Sequence, residues 1–467
     1  FNYQVNPVFD NKNTDEDHTD YHICNYADEK AIQAAFGLQY LSSQGMLTDE
    51  DRDQFVHNGL LDLVAHEVGH TLGFRHNFKA SHIYSQKQLQ NLEFTKEHGL
   101  TGSVMDYTPL NLSPKGTPQG SYFQTVTGIY DDWAVEYAYS VVDSNAGITE
   151  AKMLEEIAKK STNPLLQYGT DEDARSYSMR GIDPSCNLYD MTSDPLEYYQ
   201  TRVDLTQEIW KNLLEKFEVK GEPFSKLKTV FSFGLREYRS LSSNVPKYIG
   251  GIYSHRNHMG NDLDRPPFEM VPASKQKEAL EFLSKNIFDK NAFQFSPELL
   301  NKLSSNKLYN FHGSVWNQKR NDLPIHSIVM TIQERTLNRL FSVYVLNRLM
   351  DNEKKFTEDE EKFTQTDLFN FMVTSLWSEL DNRENVSSYR RELQRKHLAI
   401  LIDFLMDENS GAPVDAVSLS RSNLKVLKTR IEKLSYNRNI DSITKAHYIE
   451  IMADITAVLN AGINREN

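Results

Sequence analysis

His66-Glu67-Val68-Gly69-His70-Thr71-Leu72-Gly73-Phe74-Arg75-His76 is the stretch from which the rest of this 467-residue chain is read. Apolar side chains at Leu60, Val64, Val68 and Leu72 repeat with a helical period and predict a helix over 58–71 with that stripe buried. His66 and His70 share the other side. Spaced i, i+4 on a helix, two imidazoles can reach one cation, and Glu67 stands beside them, placed to take a proton from water on that cation. Gly73 permits a sharp turn after the helix, because glycine enters left-handed backbone without steric cost. His76 can then swing back as a third ligand. Three neutral nitrogens leave a fourth tetrahedral position for water, the arrangement of a catalytic rather than a closed structural zinc site. The bland alternative is an amphipathic helix that displays histidines by accident, and the added glycine and third histidine at fixed offsets argue against it.

Downstream lies Ser103-Val104-Met105-Asp106-Tyr107. Together with the histidine segment it resembles the metzincin metallopeptidases, in which a methionine-containing turn forms an apolar floor beneath the zinc ligands. The resemblance implies that His66, His70 and His76 bind Zn2+, that Glu67 is the general base and acid, and that Met105 is the floor. Tyr107 stands two places after the methionine, as in the astacin-like and serralysin-like branches. By that similarity it binds zinc at rest or swings to stabilise the oxyanion formed on a peptide carbonyl; the competing reading is a buried aromatic with its hydroxyl hydrogen-bonded.

More of the chain is similar to large bacterial zinc-dependent metalloproteases that have a metzincin core followed by a helical C-terminal region. The supporting stretches are His-Asn-Phe-Lys-Ala-Ser at 76–81, Tyr-Asp-Asp-Trp-Ala-Val-Glu-Tyr at 130–137 and Tyr-Ile-Gly-Gly-Ile-Tyr at 248–253. This resemblance implies a mainly α fold, α+β at most, acting on a peptide or protein substrate after export to a periplasm, cell surface or medium. Simpler metzincins place a twisted sheet, with a substrate-holding edge strand, before the active-site helix. Few residues precede His66 here, Phe1 is not an initiator methionine and the opening carries no signal peptide, so the expectation is a C-terminal piece of a longer precursor with that sheet truncated.

Three regions follow: a catalytic core over 1–145, a mixed helix and loop extension over 146–270 and a helical domain over 271–467. In the first, residues to Asp20 are polar and loop-like, and Asn25 can cap a helix over 27–42 whose stripe is Ala31, Ile32, Ala35, Leu38 and Tyr40. Residues 108–128 are rich in proline and glycine and predict a shaped loop, either a wall of the pocket beyond the scissile bond or a surface connection. A helix over 130–141 would pack Trp133 and Tyr137 against the core. In the last region, helical periods run over 275–288, 325–350, 367–380, 389–406 and 443–459. Antiparallel helices with short joins are the natural architecture.

Other features leave alternatives. Gly169 to Asp173, with Asp183 and Asp190, offers oxygen ligands that suit Ca2+, or forms a solvated acidic loop. His18 and His22 read as a surface pair; His255 and His258 line the cleft or face solvent. Cys24 and Cys186 make one bridge in an exported protein or two buried thiols. The 51 basic and 65 acidic side chains, a formal net charge of −14, argue against nucleic acid and anionic membrane partners. No apolar run approaches the roughly 18 residues of a membrane span. The histidine segment encodes water activation and not a leaving group. Beside a zinc endopeptidase it therefore admits a zinc amide hydrolase of cell-wall or glycan-linked substrates, and a zinc-binding but inactive scaffold.

Overall fold

The computed structural model describes residues 26–45, 48–142, 147–175, 181–260, 265–304, 322–407, 409–434 and 440–461. Cys24, His18, His22 and the capping Asn25 lie outside them. Two helices open the described chain, α1 (Tyr26–Ser43) and α2 (Asp49–Thr71). The latter begins well before the first apolar repeat because Thr48 closes a capping box with Asp51: the Thr48 hydroxyl accepts from the Asp51 amide at 3.1 Å and the Asp51 carboxylate from the Thr48 amide at 2.8 Å.

The face that α2 turns inward is not the predicted one. Leu60, Val64, Val68 and Leu72 are 52, 55, 47 and 41% exposed, while Phe55, Asp62 and His66 are buried. A repeat identifies a face but not its direction, and here the inward side is decided by polar partners and by room for close approach. Asp62 meets Lys30 of α1 at 2.6 Å, both buried, and accepts from the Tyr26 hydroxyl at 2.7 Å. Lys30 also donates to the Thr108 carbonyl at 3.0 Å, so both buried charges have further hydrogen bonds. A Cβ on Gly59 would stand 3.2 Å from the Phe123 ring, which shows how closely the backbone approaches its neighbours on this side.

Loops with one-turn helices lead from α2 to α3 (Ile129–Tyr139). Residues 108–113 are buried, with Leu110, Leu112 and Phe123 in the core, whereas 115–118 are exposed, so the proline-rich loop runs from the interior to the surface and back. In α3 the Trp133 indole donates to the Ile157 carbonyl at 2.8 Å, whereas Tyr137 is exposed and does not pack on the core as expected.

The extension contains two long helices, α4 (Pro195–Phe217) and α5 (Ser225–Asn244), packed on each other around Trp210, Phe231 and Tyr238. Gly234 allows the approach, since a Cβ there would fall 2.6 Å from Thr206 and Trp210 atoms. A two-stranded antiparallel sheet of β1 (Ile252–Ser254) and β2 (Phe268–Met270), in register Ile252↔Met270, follows. Then come α6 (Ala273–Leu283), α7 (Ile325–Leu340), α8 (Val343–Glu353), α9 (Gln365–Leu376), α10 (Ser388–Met406), α11 (Val414–Leu434) and α12 (Ser442–Asn460). The helix expected over 325–350 is two helices, because Ser342 leaves helical geometry to cap α8 through the Val345 amide. The one expected over 367–380 stops at Leu376, where Trp377 turns inward and its indole donates to His397 at 3.0 Å.

The architecture is mainly α, with an active-site helix ahead of a helical C-terminal region. One buried apolar cluster extends from Ile32 to Ile455 and joins the two. No described helix is long and apolar enough to cross a membrane.

Candidate metal centre

The end of α2 is shaped by Gly73, whose φ is +85°. The Gly73 amide donates to His70 O at 2.9 Å and the Phe74 amide to Gly69 O at 3.1 Å, the paired bonds of a Schellman motif. The chain thereby doubles back, and His76 returns to the two histidines of the helix. Ring centroids of His66, His70 and His76 lie 4.8 to 5.4 Å apart. One ligand atom from each falls within 4.8 Å of the others.

Each ring is oriented through Nδ1. His66 meets the Val104 carbonyl at 2.7 Å, His70 the Phe74 carbonyl at 3.0 Å, and His76 both Asp171 carboxylate oxygens at 3.0 Å. Carbonyls and carboxylates only accept, so each Nδ1 is placed to donate, the arrangement that leaves Nε2 as the ligating atom when a metal is bound. The Nε2 atoms of His70 and His76 are 3.2 Å apart. Two nitrogens bound to one tetrahedral zinc at 2.0–2.1 Å stand about 3.3 Å apart, so this spacing fits that ion. Burial pushes the His66 pKa down to about 3, against the pull of its Val104 bond, which keeps the imidazole neutral at physiological pH. Glu67, the next residue on α2, is exposed.

Met105 is buried beneath the helix. A Cβ on Gly69 would stand 2.1 Å from the Met105 sulfur, so only glycine there lets the thioether reach the backbone between His66 and His70. The turn is held by Asp131 of α3, which accepts from Ser103 Oγ at 2.6 Å and from the Val104 and Gly128 amides at 2.8 Å. Asp131 thus anchors Val104, the residue whose carbonyl orients His66. Asp106 accepts from the Ser81 amide at 2.8 Å, and burial followed by the nearby Asp190 charge pushes its carboxyl well above the usual range. Tyr107 is only 3% exposed. Its ring stacks on Tyr26 at 4.8 Å and lies 4.7 Å from His76 and 5.4 Å from His66.

The acidic run after Gly169 is a one-turn helix, Asp171–Ala174, in which each carboxylate meets its own partner. Asp171 takes His76, Glu172 takes Arg75 at 2.9 Å and Asp173 takes Arg256 at 2.6 Å. Burial would raise the Asp171 carboxyl, but the hydrogen bonds from His76 and Thr170 outweigh it and hold the group below the usual range. Asp183 pairs with buried Lys79 at 2.6 Å, and Asp190 accepts from Ser81 Oγ at 2.8 Å. Cys186 is buried, and His258 is exposed. Sequence reasoning brought the three histidines, Glu67, Gly73 and Met105 to one place but gave Asp171 and Asp131 no part in it. Asp171 is 95 positions from His76, and a single sequence holds no periodic signal that would join them.

A family model described as Met-zincin matches residues 48–384, most of the chain and all of the centre just described, and the chain belongs to that family of metzincin-type zinc metallopeptidases. No curated protein and no solved structure matches it.

Proposed function

We propose that the chain is a zinc-dependent endopeptidase in which His66, His70 and His76 hold the metal and Glu67 is the general base and acid. The observation that supports this reading is the convergence of the three histidines, one ligand atom from each lying within 4.8 Å of the others. Bound there, zinc would supply Lewis acidity, polarising the scissile carbonyl and making water more acidic. Glu67 takes the proton of the attacking water on its carboxylate and returns it to the departing amine nitrogen. Asp171 and the Val104 and Phe74 carbonyls hold the three rings in the ligating tautomer. Met105 fills the space under the ligands, and Gly73 turns His76 toward them. Burial of Tyr107 among aromatic rings supports its part as packing behind His66 and His76, since it would have to leave the core to reach a substrate.

Glu67→Gln is expected to lose about 10²- to 10⁴-fold in turnover while zinc affinity, read by chelator competition, stays at the wild-type value. His76→Ala is expected to weaken zinc itself. Retained activity in the first variant removes Glu67 from the mechanism, and unchanged zinc affinity in the second removes His76 from the ligand set.

A further inference from the structure

The segment that brings Asp171 to His76 also borders a cavity of about 240 Å³ between α3, residues 161–168 and the chain leaving β1. Tyr130, Trp133 and Tyr168 are among its aromatic lining residues, and Lys79, His255, Arg256 and Arg265 among its basic ones, the Lys79 amino group being buried against Asp183 and the Ser254 carbonyl. No aspartate or glutamate lines it among the described residues, in a chain whose formal charge is −14. The lining therefore runs against the charge of the molecule.

The cations are fixed by carboxylates that stand outside the lining. Asp183 holds Lys79 at 2.6 Å and Asp173 holds Arg256 at 2.6 Å, with the Arg256 guanidinium 5.0 Å over the Tyr168 ring. Glu269 lies 3.7 Å from Arg265 and 3.3 Å from His255. These partners reduce the net potential but order the donors before a ligand arrives, so binding costs little side-chain entropy. After burial, the Arg265 and Lys79 charges are what push the His255 pKa below the ordinary imidazole value, against Glu269.

Position and size restrict the occupant. The Phe78 amide donates to Gly169 O at 2.7 Å, and the Asn77 side chain bonds Gln167 O at 3.0 Å, tying this segment to the residues after His76. Tyr168 and Asp171 are three residues apart, about 10 Å along an extended chain. That length is an upper bound, so the cavity wall at Tyr168 stands within about three extended residues of the carboxylate that orients His76. The volume falls below the roughly 300 Å³ at which small-molecule sites begin, and suits one side chain or one chain end.

We propose that this cavity is a substrate subsite for a carboxylate, supplied by an acidic side chain or by the C-terminus of a peptide lying across the metal centre. The inference rests on the peptidase reading given above. Two guanidinium groups in the lining, Arg256 and Arg265, offer the planar, forked donors that carboxylate recognition uses, beside aromatic rings.

The test offers zinc-loaded full-length protein C-terminally amidated peptides that scan Glu against Gln at every position, and neutral peptides with free or amidated ends. One position is expected where Glu exceeds Gln in kcat/KM by about tenfold or more, or where a free terminus gives the same gain. Which series responds distinguishes the two sources of carboxylate. Arg256→Gln and Arg265→Gln, each read as the Glu-to-Gln ratio on one preparation, should lower that ratio. Equal rates at all positions and for both chain ends, or a preference untouched by both variants, overturns the proposal. If no peptide is cut above a Glu67→Ala blank, the peptidase reading fails instead. The cavity is then judged by titrating the Glu67→Ala protein with the same peptides and following tryptophan fluorescence, for which Trp133 is the local reporter; equal affinities for acidic and neutral members overturn it.

Discussion

Between Tyr26 and Asp190 the buried contacts that set geometry are polar: Lys30 on Asp62, Asp131 on the 103–105 turn, Lys79 on Asp183, Ser81 on both Asp106 and Asp190. From Pro195 to Asn460 they are chiefly apolar side chains between helices, interrupted by a few anchors such as Arg390, which meets Glu379 at 2.6 Å and the Phe288 carbonyl at 2.7 Å. The first region gathers one ligand atom from each of three imidazoles to within 4.8 Å of the others and orients each ring through Nδ1, which directional hydrogen bonds do and dispersion contacts do not. The second completes a large apolar interior against which the first is braced.

That contrast can be broken by substitution. Asp62→Asn leaves Lys30 buried without its counter-charge and is expected to cost about 3–5 kcal/mol, measured by denaturant unfolding. Leu346→Ala, fully buried in α8, should cost about 2–5 kcal/mol through a cavity, yet leave zinc affinity at the wild-type value. If instead Asp62→Asn were neutral and Leu346→Ala weakened zinc, the polar and apolar roles assigned to the two regions would be reversed.

A finer test addresses orientation alone. Asp171→Asn keeps the size of the side chain but removes the charge that faces His76, and a 10- to 100-fold loss of zinc affinity is expected with little change in unfolding midpoint. Chelator competition giving the wild-type affinity would show that His76 needs no such partner. The smallest effect is predicted on the outward side of α2: Val64→Gln should alter stability by no more than about 0.5 kcal/mol, because the side chain is half exposed. A loss of several kcal/mol there would mean that this face is covered in solution.

The same contrast explains what could be read from the sequence. Helices over 389–406 and 443–459 are matched by α10 and α12 to within a residue or so, because a continuous apolar interior imposes its period on each. Breaks at Ser342 and Trp377 escaped that reading, since a cap and an inward indole leave the apolar count unchanged. Around the metal centre the residue spacing of the histidines was legible, because ligation itself fixes i, i+4 and the return through Gly73. The direction of α2 was not. Its buried side carries Asp62, His66 and two glycines, and their inward preference depends on Lys30, Val104, Phe123 and Met105 in other segments. Asp171 and Asp131 belong to the same category, as carboxylates whose partners lie far along the chain.

The central claim is that the histidine centre hydrolyses peptide bonds. Its most direct test is exposure of a diverse peptide library to the zinc-loaded chain, with products read by mass spectrometry against the Glu67→Ala protein. The account predicts internal cuts that are absent from the Glu67→Ala sample and disappear when zinc is removed by a chelator. A library left intact by a chain shown to hold zinc, or cut equally by both proteins, would contradict it.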